Sequence, residues 1–277
     1  MSLHPICADL DVRLERYPVR GTELAALVAE PAEPHSTVLL VPGYTGSKED
    51  FRLLLQPLAQ AGHRVVALDQ RGQFQSPGTT ELADYTAQSL GADLLAVVDR
   101  LGPVHLVGHS LGGLVSRAAV LARPAAFRSL VLMSSGPAGL TGPRVDVLPL
   151  MRPLLEQGMP TLIEAYDAMN AADQRWLALD ASTQGFLRDR MVASSAHALL
   201  GMADALVGEP DRVAELRATG LPVLVLHGDA DDAWSPAVQA EMAERLGAEH
   251  VVVPGAAHSP AVEAAGPTAA ALLAFWR

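Results

Sequence analysis

One stretch of this chain carries more chemistry than packing requires. "LVGHSLGGLVSRAA", beginning at Leu106, runs from an apolar segment into Gly108, His109, Ser110, Leu111 and Gly112, then into helical spacing. A serine between two glycines, placed between a strand and a helix, is the pattern of a nucleophile raised on a tight turn. Gly108 and Gly112 let the two elements approach, and Gly113 adds room. The turn presents the Ser110 hydroxyl at the C-terminal edge of a sheet, where open α/β sheets hold their sites. The helix that follows aims its positive end at the same point. His109 adjoins the serine and cannot fold back to act as its base. It is expected to pack behind the turn.

A serine hydroxyl needs a base, and the base needs an orienting acid. His258, in "PGAAHSPAVE", follows one late strand and precedes the last helix, so it emerges at the same sheet edge as Ser110. His63 and His250 precede strands and belong at the opposite edge, and His105 sits inside a strand. His4 and His35 lie in N-terminal segments, and His197 lies in a helical region. His227 ends a strand and is the one rival. For the acid, "LVLHGDADDAWSP" offers Asp229, Asp231 and Asp232 after the strand at 222–228. The strand at 128–134 is followed by "MSSGP", which offers serines and no acid.

These residues need a frame, and the hydrophobic pattern supplies one. Short Val/Leu-rich runs at 37–41, 64–68, 104–108, 128–134, 222–228 and 250–255 read as strands covered on both faces. Between them, 49–62, 85–102, 111–123, 236–247 and 260–276 have helical spacing. Strands alternating with helices predict an α/β architecture with a mostly parallel central sheet and helices on both faces. Residues 11–29 predict an antiparallel hairpin at the sheet edge. The rhythm stops from 137 to 220, where the pattern is helical and no strand is evident. The expected organisation is a core of 1–136 and 221–277, with 137–220 as a helical cap, or lid, inserted between core strands.

Taken together, the motifs resemble the α/β-hydrolase superfamily over nearly the whole chain. The order Ser110, aspartate, His258 matches that family's. The family's Gly-x-x-Asp after the penultimate core strand, with a proline shortly after, corresponds to Gly228, Asp231 and Pro236. The resemblance therefore implies that Asp231 is the acid, with Asp229 and Asp232 as solvated loop residues. Its His-x-x-x-x-Glu turn appears as His258 and Glu263.

The fold implied by this resemblance also needs an oxyanion hole. Leu111, the residue after the serine, offers one backbone N–H. The family takes the second from the loop after the first parallel strand, usually His-Gly-x. Here "VPGYTGSKEDF" has Pro42 in place of that histidine but keeps Gly43, so the implied donor is the N–H of Tyr44. "DQRGQFQSPG" (69–78) resembles the family's Asp-x-Arg-Gly-x-Gly-x-Ser turn, with Phe74 in place of a glycine. It is expected to shape the site wall.

A serine at this position disfavours the dehalogenases and epoxide hydrolases of the superfamily, which use aspartate. It implies an acyl-enzyme, and hydrolysis of a small or medium, mostly apolar carboxylic ester, thioester or lactone is the first expectation. Carbon–carbon bond hydrolysis, perhydrolysis and peptidase-like amide hydrolysis use the same three residues. A non-enzymatic ligand-binding role is the distant alternative. No metal or organic cofactor is expected. Candidate pocket residues are Tyr44, His109, Met169, Trp176 and Trp234. Met151, Met159, Tyr166, Phe186, Met191 and Met202 also populate 137–220, where thioethers suit an adaptable apolar pocket. Arg175, Arg188 and Arg190 could meet a substrate carboxylate, but solvated faces are the expectation.

Composition agrees with a globular enzyme on a small-molecule substrate. Of 277 residues, 49% are apolar, and the net charge of −11 disfavours nucleic acid as a partner. No apolar run reaches the roughly 20 residues that span a bilayer. The N-terminus, "MSLHPICADLDVRLERYP", lacks the basic start and apolar core of a signal peptide, so a cytoplasmic location is expected. Cys7 is the single cysteine, so no internal disulfide can form, and Lys48 is the single lysine.

Overall fold

The computed structural model describes residues 12–142, 144–146 and 148–277. His4 and Cys7 lie outside the described residues, as does the side chain of Arg175. The near-continuous apolar runs become the centre of one sheet. Among the described residues it has eight strands in the order β1-β2-β4-β3-β5-β6-β7-β8. β1 (Val12–Val19) and β2 (Thr22–Ala29) form the expected antiparallel edge hairpin. β2 also pairs antiparallel with β4 (His63–Leu68). From there the pairing is parallel, through β3 (Ser36–Val41), β5 (Val104–His109), β6 (Phe127–Met133), β7 (Val223–Gly228) and β8 (Glu249–Val253).

Successive side chains on a strand face opposite ways, so an unbroken apolar run fills two layers at once. Leu39, Val41, Leu106, Leu130 and Leu132 pack with helices α2 (Ala87–Leu101) and α3 (Leu111–Ala122) on one face. Val38, Leu40, Val107, Val131 and Met133 pack on the other face with α1 (Arg52–Gln60) and the C-terminal helix. The expected last helix is two. α11 (Pro260–Glu263) stops at Ala264 and α12 (Ala265–Phe275) restarts. Pro267 explains the break, since its ring would collide with the Glu263 carbonyl in a continuous helix.

Between β6 and β7 the chain runs through α4 (Leu148–Glu156), α5 (Met159–Asn170), α6 (Gln174–Leu177), α7 (Ala181–Ala193), α8 (Ala196–Gly208) and α9 (Val213–Ala218). This segment packs in two parts. Ala198, Met202 and Leu206 of α8 and Val213 and Leu216 of α9 join the main core. Leu155, Leu162, Ile163, Met191 and Leu199 form a small separate cluster with Tyr44 at its margin. Backbone bonds from Gly139 to Glu209 (2.7 Å) and from Leu140 to Leu206 (2.7 Å) tie its two ends together. α10 (Pro236–Leu246) follows β7. Among the described residues no single helix is long and apolar enough to cross a membrane.

Candidate active site

Ser110 stands between β5 and α3 with φ +53° and ψ −121°. This is a strained backbone for a residue with a side chain, and its surroundings hold it there. Its N–H donates to the Met133 carbonyl at 2.9 Å, and its carbonyl accepts from Gly113 N–H and Ser135 Oγ, each at 2.9 Å. The flanking glycines are required by close approach. A Cβ on Gly108 would lie 2.3 Å from the Gly112 carbonyl oxygen, and one on Gly112 would lie 2.4 Å from that of Val41.

His258 Nε2 lies 3.1 Å from Ser110 Oγ, and His258 Nδ1 lies 3.0 Å from Asp231 Oδ1. Asp231 also accepts from Ala233 N–H (2.9 Å) and from Gln239 Nε2 (2.9 Å). Burial alone would raise the Asp231 pKa. Its bonds to His258, Ala233 and Gln239 outweigh that and hold the carboxyl below its usual range. The carboxylate so favoured takes the proton-bearing Nδ1 of His258, which leaves Nε2 to accept from the serine hydroxyl. Glu263 accepts the N–H groups of Ala257 and Ser259, closing the loop that carries His258.

The rival residues are occupied elsewhere. Asp229 accepts from Gly255 N–H at 3.1 Å, and Asp232 pairs with Arg144. His227 Nδ1 donates to the Gly228 carbonyl, and its Nε2 meets His250 Nε2 at 2.8 Å. His35, His63 and His105 gather with Trp276 at the other end of the strands. His109 does more than pack behind the turn. Its Nε2 lies 2.7 Å from the carbonyl oxygen of His258, and burial pushes its pKa down to about 4.

The loop after β3 reaches over the serine. A Cβ on Gly43 would lie 2.9 Å from Ser110 Cβ. Gly43 to Gly46 form a turn closed by Gly46 N–H to the Gly43 carbonyl (3.1 Å), with Thr45 at φ +58°. Lys48 is buried below it, 2.7 Å from Asp69 Oδ2 and 2.9 Å from Glu49 Oε1, with its ammonium 4.6 Å from the Phe74 ring centre. The turn at 69–78 braces this loop. Gln70 Nε2 donates to the Pro42 carbonyl and Gln73 Nε2 to the Gly43 carbonyl, both at 2.8 Å.

Of the pocket candidates, three gather here. Tyr44 is half-buried, and its hydroxyl donates to the Leu199 carbonyl at 3.1 Å. Burial raises the pKa of that hydroxyl, with Asp204 adding to the rise. The buried Trp234 ring lies 6.4 Å from the His258 ring, and the His109 ring lies 5.0 Å from that of His258. The other two do not join them. Trp176 packs edge-on against Tyr166 at 5.6 Å within 137–220. Met169 is 64% exposed in the last turn of α5, whose inward side is taken by Leu162, Ile163 and Asn170. Gln73 and Gln239 were not legible in the sequence, because no spacing rule links a glutamine amide to a carbonyl on another loop.

Comparison with known proteins gives the family. The model of the alpha/beta hydrolase family matches residues 38–271. The chain belongs to that family. A protein of Variovorax paradoxus assigned as carbamate hydrolase RutD is 41% identical over 100 residues, 35% of this chain and 37% of its own length. The first curated relatives are thus matched over little more than a third of their length. The 2-hydroxy-6-oxononadienedioate/2-hydroxy-6-oxononatrienedioate hydrolase of Escherichia coli is 34% identical over 60% of this chain and 56% of its own. The enol-lactonase of Burkholderia xenovorans has the same fold, with a TM-score of 0.80 and 22% identity over 95% of this chain and 99% of its own.

Proposed function

We propose that this protein is a hydrolase that cleaves a small or medium, uncharged and mostly apolar carboxylic ester through an acyl-enzyme on Ser110. The observation that carries the reading is the hydrogen-bonded series Asp231–His258–Ser110 at a strained turn. His258 Nε2 takes the serine proton as Oγ attacks the carbonyl carbon. The backbone N–H groups of Leu111 and Tyr44 receive the oxyanion. His258 then gives its proton to the departing alcohol, water repeats the sequence, and the acid is released. Asp231 holds the imidazole in the required tautomer and stabilises the imidazolium. Each oxyanion donor of this kind is worth about 10²–10³ in rate.

The surroundings support an uncharged acyl group. Leu155, Leu162, Ile163, Met191 and Leu199 cluster beside Tyr44. Arg152, Arg188 and Arg190 are paired with Asp204, Asp167 and Asp50, which leaves those three committed rather than offered to a substrate carboxylate. In this reading residues 137–220 act as the cap that shapes the acyl site.

The test is turnover of p-nitrophenyl esters of increasing acyl length near pH 8 by wild type and Ser110→Ala. We expect activity that disappears in the variant and peaks at a medium acyl chain. Wild-type inactivity on every ester would overturn the ester reading.

A further inference from the structure

We infer that Gln73 aims the second oxyanion donor: it holds the carbonyl of the Gly43–Tyr44 peptide so that the N–H of the same peptide faces Ser110. The inference rests on the reading above, in which the Tyr44 N–H receives the oxyanion. Gln73 does not reach the reacting atoms, so it is a positioning residue.

The carbonyl of Gly43 and the N–H of Tyr44 belong to one planar unit and point in opposite directions across it. Whatever fixes the carbonyl fixes the N–H. Gln73 Nε2 donates to that carbonyl at 2.8 Å, and Gln73 is only 2% exposed. The other end of its amide is also fixed, because Gln73 Oε1 accepts the Gln70 N–H at 3.0 Å. An N–H needs an oxygen opposite it, so the two bonds determine which end of the amide faces Gly43.

This support answers a need created by Gly43 itself. A Cβ there would press on Ser110 Cβ at 2.9 Å, so only glycine brings the loop this close. Glycine is also the residue whose flanking peptides rotate most freely. A rotated Gly43–Tyr44 peptide would turn its carbonyl oxygen toward the developing negative charge. Pro42 has no side-chain donor to prevent this. The turn at 69–78 supplies two instead. Gln70 holds the Pro42 carbonyl and Gln73 holds the Gly43 carbonyl, so two successive peptides are pinned from one side. The Gly46 N–H shares the Gly43 carbonyl at 3.1 Å, but it belongs to the same turn and moves with it, so Gln73 is the contact that fixes this peptide from outside the loop. A donor on the carbonyl also polarises the peptide and strengthens its N–H.

The test uses Gln73→Met, which keeps the volume of the side chain and removes the donor, in the full chain. The probe is an alkyl trifluoromethyl ketone, which adds to a serine hydroxyl to give a hemiketal oxyanion. We expect kcat on a p-nitrophenyl ester to fall about 10- to 100-fold, with KM within about twofold. Affinity for the ketone should fall by the same factor, and the 19F-detected ionisation of the bound hemiketal should move to higher pH. Gln73→His restores a ring N–H donor and should recover most of the loss.

Gln73→Met with kcat/KM and ketone affinity near wild type overturns the inference. So does a fall in kcat without loss of ketone affinity, or one that Gln73→His does not recover. Tyr44→Pro removes the N–H itself, at a turn position that accepts proline. Ketone affinity retained in Tyr44→Pro overturns the donor assignment underneath. Affinity lost in Tyr44→Pro but kept in Gln73→Met overturns only the role of Gln73. A wild type that forms no adduct at Ser110 removes both.

Discussion

His109 Nε2 lies 2.7 Å from the backbone carbonyl oxygen of His258, while the neighbouring Ser110 Oγ lies 3.1 Å from the His258 ring. Two consecutive residues of one turn therefore grip the main chain and the side chain of the same histidine. The distance between the proposed base and the proposed nucleophile becomes a property of that turn. His109 is neutral near pH 7, since burial pushes its pKa down to about 4, so one ring nitrogen carries a proton to donate. Replacing His109 with Phe should lower kcat about ten- to hundredfold, the range expected when a catalytic group drifts by about 1 Å. His109→Gln keeps a donor and should recover part of it. Steady-state kinetics of the two variants against p-nitrophenyl esters decide this, and equal rates would remove the role.

Gly43 should be intolerant of any side chain. A methyl group there would lie 2.9 Å from Ser110 Cβ and 3.2 Å from His109 Nδ1. Both are held by the turn, so the loop must retreat and carry the Tyr44 N–H with it. Gly43→Ala is expected to lose about 10²–10³ in kcat, as when an oxyanion donor is removed. Its unfolding midpoint in urea should change little, because the loop can move outward. A normal kcat in Gly43→Ala would show that the Tyr44 peptide is not where the oxyanion forms.

Much of this was legible because each signal had one physical cause. Val/Leu runs such as 37–41 mark strands buried on both faces, and they are the centre of the sheet. Gly108 and Gly112 mark a close approach, and the approach is there. Asp231 and His258 come together because each follows a parallel strand and so leaves at one edge of the sheet. The place of Met169 was not legible, because helical spacing gives a face but not whether anything covers it, and in the last turn of α5 it is 64% exposed. Gln73, Gln70 and Gln239 were invisible for a different reason. An amide that donates to a carbonyl on another loop leaves no periodicity, and its partner is a main-chain atom that any residue supplies.

Arg117 is expected to hold both ends of the 137–220 segment. It is a buried residue of α3, with its guanidinium on the carbonyls of Pro137 and Pro210 and 3.3 Å from Glu209 Oε2. Burial lowers the pKa of this arginine against the pull of Glu209. Arg117→Met would leave Glu209 buried without its cation, a change that costs about 3–5 kcal/mol in comparable sites. Urea unfolding should show that loss. Adding Glu209→Gln should return part of it, because the uncompensated charge is then gone. Two losses that simply add would mean that the residues are not coupled.

Stability should fall on the acid side for a reason remote from Ser110. His105 lies on β5 beside Ser129 Oγ (2.8 Å), and its pKa is lowered to about 4 by burial first, then by His63, Arg128 and His35. Burial and the neighbouring His35 also lower that of His63. In the unfolded chain both residues bind a proton near the ordinary value of about 6.5. As pH falls below that value, the unfolded state takes up protons that the folded state refuses, and stability declines. The contribution is complete above about 6.5 and is lost progressively toward 4, below which His105 adds no further loss. Urea midpoints measured at steps from pH 7.5 to 4.5 should therefore drop for wild type. They should drop less for His105→Gln, which keeps a polar group beside Ser129 but does not titrate. Parallel curves for the two proteins would place the acid sensitivity elsewhere.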